Sequence, residues 1–205
     1  VYKRQPLKTE KETAASNLET QKQGLEDQQE QAASDAEAAA QRIAEIDAAN
    51  RTAYESGQDT GVSSESIGAD SLGDGYIGHP ISGSLSVTSP FGYRVHPVTG
   101  VGTGHQGTDF AAADGTPQYA AVSGVATYWD SASCGIGIDI NAGYIDGHSY
   151  VITLCHLSGR AIADGQQVNR GDVVGYTGST GYATGPHVHF QVAQDGVYID
   201  PMSLP

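Results

Sequence analysis

The rhythm of apolar and polar positions changes once along the chain. Between residues 10 and 55 small apolar side chains recur at helical spacing. Ala32, Ala36, Ala39, Ile43, Ile46 and Ala53 follow a 4-3-4-3 step that Asn50 interrupts. The stretch is rich in Ala, Glu, Gln and Lys, lacks proline and has one interior glycine, Gly24, so it predicts a single long helix. Leu18 and Leu25 carry the seven-residue step towards the front, but Lys22 and Gln29 stand where apolar partners are needed. So thin a seam fits weak pairing with a second helix, a piece of a longer coil, or a solvated single helix.

From Ser56 to Gly78 the sequence is a polar Gly/Ser/Asp stretch with almost nothing to bury, which predicts a linker. Beyond residue 80, short apolar runs are cut by glycines: SLSVTSPFG, YAAVSGVATYW, GIGIDI, YVITLCHL, GDVVGYTG and HVHFQV. Runs of this length with turn residues between them predict an antiparallel β domain. The expected organisation is a helical, coiled-coil-like segment over 1–57, a flexible linker over 58–78 and a mainly β domain over 79–205.

Composition sharpens this division. Most of the 27 glycines lie beyond residue 56. Net charge is −14: residues 1–57 hold 7 basic and 11 acidic side chains, the remainder 3 and 13, and no lysine follows Lys22. That balance argues against nucleic acid as a partner and against anchoring of the back half to an anionic surface. No apolar run is long enough to span a bilayer, so membrane insertion is not expected of this chain. No signal peptide is visible, and a chain that starts at Val1 reads as a fragment.

Two stretches carry candidate chemistry. In GPHVHF (185–190), alternation along a strand puts His187 and His189 on one face and Val188 and Phe190 on the other. In HQGTD (105–109), an extended backbone would put His105 and Asp109 on one face, with Gly107 leaving space for a ligand or ion between them. Together these stretches hold three imidazoles and a carboxylate, and two of the imidazoles with the carboxylate make the donor set of a zinc site with an open position. Cys134 and Cys155 are 21 positions apart. A disulfide there would stabilise by roughly 3 kcal/mol, and two buried free thiols fit the residues equally well. Joint zinc ligation by Cys155 and His156 is disfavoured, because strand neighbours point to opposite faces.

The segment from about His79 to Pro201 resembles the lysostaphin/LytM-type family of zinc peptidoglycan endopeptidases. Its motifs match in order: SPFGYRVHPVTG (89–100), HQGTDF, GTPQYAAVSGVAT (115–127), CHLSG (155–159) and GQQVNRGDVVGYTGSTGYATGPHVHFQV (165–192). The resemblance implies a LytM-type antiparallel β-sandwich, barrel-like in form. It implies one zinc per chain on His105, Asp109 and His189, with His156 and His187 as catalytic imidazoles. The implied substrate is peptidoglycan, cut at a stem or cross-bridge peptide bond. The implied place of action is extracytoplasmic (secreted, periplasmic or wall-associated) or on a phage particle. A catalytically silent LytM-type activator of a wall amidase is the alternative, and the helix suits self-association or docking to a larger assembly. Leu154 stands where the family has tyrosine, and the turn around Gly143 to Gly147 is longer than usual; with Cys134 and Cys155 bracketing it, this resembles a disulfide-braced variant. His79 and His148 read as turn residues, and Arg94 and His96 as parts of a structural turn.

Overall fold

The computed structural model describes residues 4–58, 71–72, 75–95 and 102–204. Among the described residues one α-helix, α1 (Arg4–Glu55), precedes fourteen strands. Two short pairings stand apart: β1 (Ser71–Leu72) with β2 (Ile77–Gly78), and β4 (Gly92–Val95) with β5 (Gly102–His105). The remaining strands form one ten-stranded sheet. They are β3 (Val87–Ser89), β6 (Thr108–Ala111), β7 (Pro117–Tyr119), β8 (Gly124–Ser131), β9 (Gly135–Ile145), β10 (His148–Arg160), β11 (Gln166–Val168), β12 (Val173–Thr177), β13 (His187–Gln194) and β14 (Val197–Ile199). Their order is β11-β8-β9-β10-β13-β6-β3, with β12 and then β7 on the end of β10, and β14 on β13. Every pairing is antiparallel, as the short glycine-punctuated runs predict.

Strand parity assigns the two faces of this sheet. Val188, Phe190 and Val192 of β13, with Ile152 and Leu154 of β10 and Ile138 and Ile140 of β9, enter the main core. The odd-numbered positions of the same strands face the other way. Val151 and Ala193 meet Ile43 of α1 there, and Asp139 and Asn141 meet α1 through polar contacts. His187 and His189 share the odd parity, so the helix and the candidate site lie on one face of the sheet.

The helical seam is therefore filled by the protein's own sheet. Burial along α1 recurs at Ala32, Asp35, Ala36, Ala39, Arg42, Ile43, Ile46, Asp47, Asn50 and Ala53, the 4-3 step of the sequence. Arg42 Nε lies 2.5 Å from Asp139 Oδ2, and its guanidinium lies 3.8 Å over the Trp129 ring. Tyr54 stacks on Tyr144 with ring centroids 4.4 Å apart. Among the described residues no second helix offers a coiled-coil partner, and Leu18 and Leu25 stay 67% and 42% exposed. The periodicity marks the buried face correctly, but a sheet rather than a helix covers it.

Candidate metal centre

Asp109 of β6 pairs directly with His189 of β13, and cross-strand neighbours in an antiparallel ladder bring their side chains together. His105 ends β5, outside the main sheet. It reaches the site because the chain turns at Gln106 and Gly107 before entering β6. His105 and Asp109 therefore converge across a bend between two sheets, not along one extended strand. Gly107 does not leave room for a ligand either. A Cβ there would lie 2.5 Å from the Phe190 carbonyl oxygen and 3.0 Å from His189 Cε1, so β13 itself fills that space.

The donors meet closely. Asp109 Oδ1 is 3.1 Å from His105 Nε2 and 2.8 Å from His189 Nδ1. These two nitrogens are 3.0 Å apart, and all three residues are buried or nearly so. His105 Nδ1 donates to the Pro90 carbonyl at 2.8 Å, so a neutral His105 presents a lone pair at Nε2. Burial pushes the Asp109 carboxyl up, but hydrogen bonds and charge from His105 and His189 outweigh it and hold the group far below the usual carboxylate range. Burial keeps His189 neutral by lowering its pKa. His105 Nε2, His189 Nδ1 and Asp109 Oδ1 thus converge on one point, each within 3.1 Å of the other two. That arrangement of two imidazole nitrogens and one carboxylate oxygen suits a divalent cation, and the donor atoms lie within 4.8 Å of one another.

Two further imidazoles line the same place. His187 Nε2 lies 3.7 Å from Asp109 Oδ1, and its Nδ1 donates to the Gly185 carbonyl at 2.9 Å. His156 Nδ1 donates to the Thr180 carbonyl at 2.8 Å, and its ring is 4.7 Å from His187 and 5.8 Å from His189. Burial, reinforced by His189 and His187, pushes the His156 pKa down to about 3, so it stays a neutral base near pH 7. His156 also breaks the parity expected of a strand. Its φ of 62° and the register shift between Leu154 and Leu157 let consecutive Cys155 and His156 both line one cleft. Cys134 and Cys155 form a disulfide, so the free-thiol reading and zinc ligation by Cys155 both fall.

The cleft holds about 960 Å³, and α1 forms one wall of it through Ala32, Asp35, Ala36 and Ala39. Trp129 and Tyr182 line it as well. Sequence reasoning missed these groups because it treated the helix as a tethered segment. The available signal was Asp139, Asn141, Thr153 and Gln191, polar side chains on one parity of strands otherwise apolar enough to be buried. Of the remaining histidines, His79 follows β2 and its Nδ1 has no partner among the described residues. His148 pairs with Asp195 at 2.6 Å on the surface, away from the cleft. His96 and the Arg94 side chain lie outside the described residues.

Comparison with known proteins agrees with this geometry. The sequence model of peptidase family M23 matches residues 103–201. A DD-carboxypeptidase/endopeptidase, Mpg, of Neisseria meningitidis is 41% identical over 119 residues, which cover 58% of this chain and 26% of that protein. The chain spans about a quarter of the length of such curated relatives. A crystal structure of a zinc-containing peptidase from Vibrio cholerae superposes with a TM-score of 0.55 at 33% identity, covering 62% of this chain and 40% of that one. The catalytic domain of the prophage-encoded M23 protein EnpA from Enterococcus faecalis superposes with a TM-score of 0.50 at 30% identity, covering 60% of this chain and 94% of that domain. A matching family model, a shared fold over nearly the whole of a known catalytic domain, and the expected donor cluster lead to one conclusion: this chain belongs to peptidase family M23.

Proposed function

We propose that the chain is a zinc-dependent endopeptidase that hydrolyses peptide bonds in bacterial peptidoglycan, in a stem or a cross-bridge, and acts outside the cytoplasm or from a phage particle. The observation that carries this reading is the three-donor nest of His105, Asp109 and His189 opening into a cleft that two more imidazoles, of His156 and His187, line. Three protein donors rather than four distinguish catalytic from structural zinc sites. The similarity of the curated relatives named as peptidoglycan DD-endopeptidases supports the substrate class. No helix among the described residues is long and apolar enough to cross a membrane.

His105, Asp109 and His189 would hold the ion, with the Pro90 carbonyl orienting the His105 ring. Zinc bound there supplies Lewis acidity and brings the pKa of water from 15.7 to about 7. His156 and His187 each have Nδ1–H on a backbone carbonyl, which leaves Nε2 as the basic nitrogen. One of these Nε2 atoms takes the proton of the attacking water as its oxygen adds to the scissile carbonyl carbon. The other imidazole, with a proton on its Nε2, would hydrogen-bond the developing oxyanion. The proton then passes to the leaving amine as the C–N bond breaks.

The test is digestion of purified sacculi followed by mass spectrometry of the released muropeptides, with bound zinc measured on the same protein. About one zinc per chain and new free peptide termini are expected. Intact sacculi with no bound zinc would overturn the reading and favour the silent activator of a wall amidase.

A further inference from the structure

His156 occupies a left-handed backbone conformation, φ 62°, that is unfavourable for a non-glycine residue and persists only where its surroundings impose it. Three supports impose it here. The His156 N–H donates to the Cys134 carbonyl at 2.8 Å, its ring Nδ1–H donates to the Thr180 carbonyl at 2.8 Å, and the preceding Cys155 is bonded to Cys134. Were His156 to relax to an extended conformation, strand alternation would turn its imidazole away from the face that Cys155 shares with the cleft.

The loop that carries Cys134 is braced in turn. The Cys134 N–H donates to Ser131 Oγ at 3.0 Å, and the Tyr182 N–H donates to the Ser133 carbonyl at 2.8 Å. The loop also interlocks with the one that bears Thr180, since a Cβ on Gly135 would lie 2.3 Å from Thr180 Oγ1. From the other side, α1 reaches in. Asp35 Oδ2 accepts the Ser133 N–H at 2.7 Å, and Gln31 Nε2 steadies the second carboxylate oxygen at 2.8 Å.

We propose that the Cys134–Cys155 disulfide, with Asp35 of α1 behind it, is the positioning device for the His156 imidazole, so that docking of the helix and competence of the cleft are coupled. This rests on the reading of His156 as a group beside the reacting bond. Asp35 and the cysteines are positioning residues: they act through His156 and not on substrate.

The experiment uses the full chain with 15N-labelled histidine, comparing Cys134→Ser/Cys155→Ser, Asp35→Ala and Asp35→Asn with the parent. In long-range 1H–15N spectra of the zinc-free protein, the parent His156 is expected as the single Nδ1–H tautomer. The cysteine double variant and Asp35→Ala are expected to shift it to averaged tautomers, while His105, anchored on Pro90, does not move. With zinc at about one per chain, kcat should fall on the order of 100-fold in the double variant and about tenfold in Asp35→Ala, with KM unchanged. Asp35→Asn keeps an acceptor for Ser133 and should retain the parent tautomer and most of the rate. Unchanged His156 nitrogens in folded variants overturn the proposal. So does a rise in KM at constant kcat, which would make Asp35 a substrate contact. Should the double variant not fold, Asp35→Ala carries the test alone. A parent that leaves sacculi intact, with variants that still show the tautomer change, would defeat the hydrolase reading while supporting the positioning one.

Discussion

Asn50 of α1 and Asn141 of β9 exchange two amide hydrogen bonds: Asn50 Nδ2 donates to Asn141 Oδ1 at 2.8 Å, and Asn141 Nδ2 donates to Asn50 Oδ1 at 2.9 Å. Asn50 also donates to Ser149 Oγ at 2.9 Å. An asparagine at this point of an apolar seam reads as a defect if the seam pairs with another helix. Against the sheet it is the residue that satisfies Asn141, a polar side chain on a strand that α1 covers.

Replacement of Asn50 separates those two readings. In a coiled coil, Asn50→Leu would strengthen the seam. Here both Asn50→Leu and Asn50→Ala leave the Asn141 amide and the buried Ser149 hydroxyl short of partners in the helix–sheet interface. We expect each to lower the unfolding free energy by about 2 kcal/mol and Tm by roughly 4–8 °C, measured by urea and thermal denaturation. A stabilised Asn50→Leu would contradict the helix docking described here.

Metal loss should be visible without any assay of hydrolysis. Zinc that binds only the folded chain stabilises it by about 2.7 kcal/mol when its free concentration is 100 times Kd. Chelation should therefore lower Tm, and added zinc should restore it. His105→Ala should remove both the bound zinc, by elemental analysis, and the chelator response. His187→Ala should keep the zinc while kcat falls roughly 10²–10⁴-fold, the span of general acid–base catalysis.

Gly107 offers a steric test. Its missing Cβ is what lets the Phe190 carbonyl and the His189 ring approach. Gly107→Ala should displace His189 from Asp109 and weaken zinc affinity at least about tenfold, the lower end for disturbed support of a ligand. Calorimetric titration of the zinc-free variant with zinc would show it. Parent affinity in that variant would mean that β13 yields without moving the histidine.

Tyr198 governs an alkaline limb of stability. Burial, then the Asp139 carboxylate, push its pKa up to about 12 against a smaller opposing effect of Arg42. A phenol raised above its unfolded value of about 10 contributes stability that is complete below pH 10 and is lost as pH rises through 12. The hydroxyl is buried without a hydrogen-bond partner among the described residues, so Tyr198→Phe should cost little at pH 7. The same variant should flatten the fall of Tm between pH 9.5 and about 11. An unchanged alkaline limb would refute this assignment.

Much of the molecule was legible in local periodicity. The 4-3 step in α1, the glycine-cut runs of the β domain, and the parity that places His187 and His189 together all depend on side-chain spacing along one element, which backbone geometry fixes. The donor residues were legible as a resemblance carried by motifs. The partner of the seam was not, because a helix that buries Ile43 and Ile46 shows the same spacing whether a helix or a sheet covers it. Nor was the meeting of Cys155 and His156 in one cleft, which needs a left-handed residue that spacing does not reveal.

What the sequence alone determined, then, is the kind of each element and the chemistry available on it, since these follow from neighbours along the chain. Tertiary structure decided which face of the sheet receives the helix, that α1 becomes a wall of the cleft, and how His105 reaches Asp109 across a bend. Those outcomes depend on groups far apart in sequence that compete for the same buried polar partners, and only the folded chain brings the competitors within bonding distance.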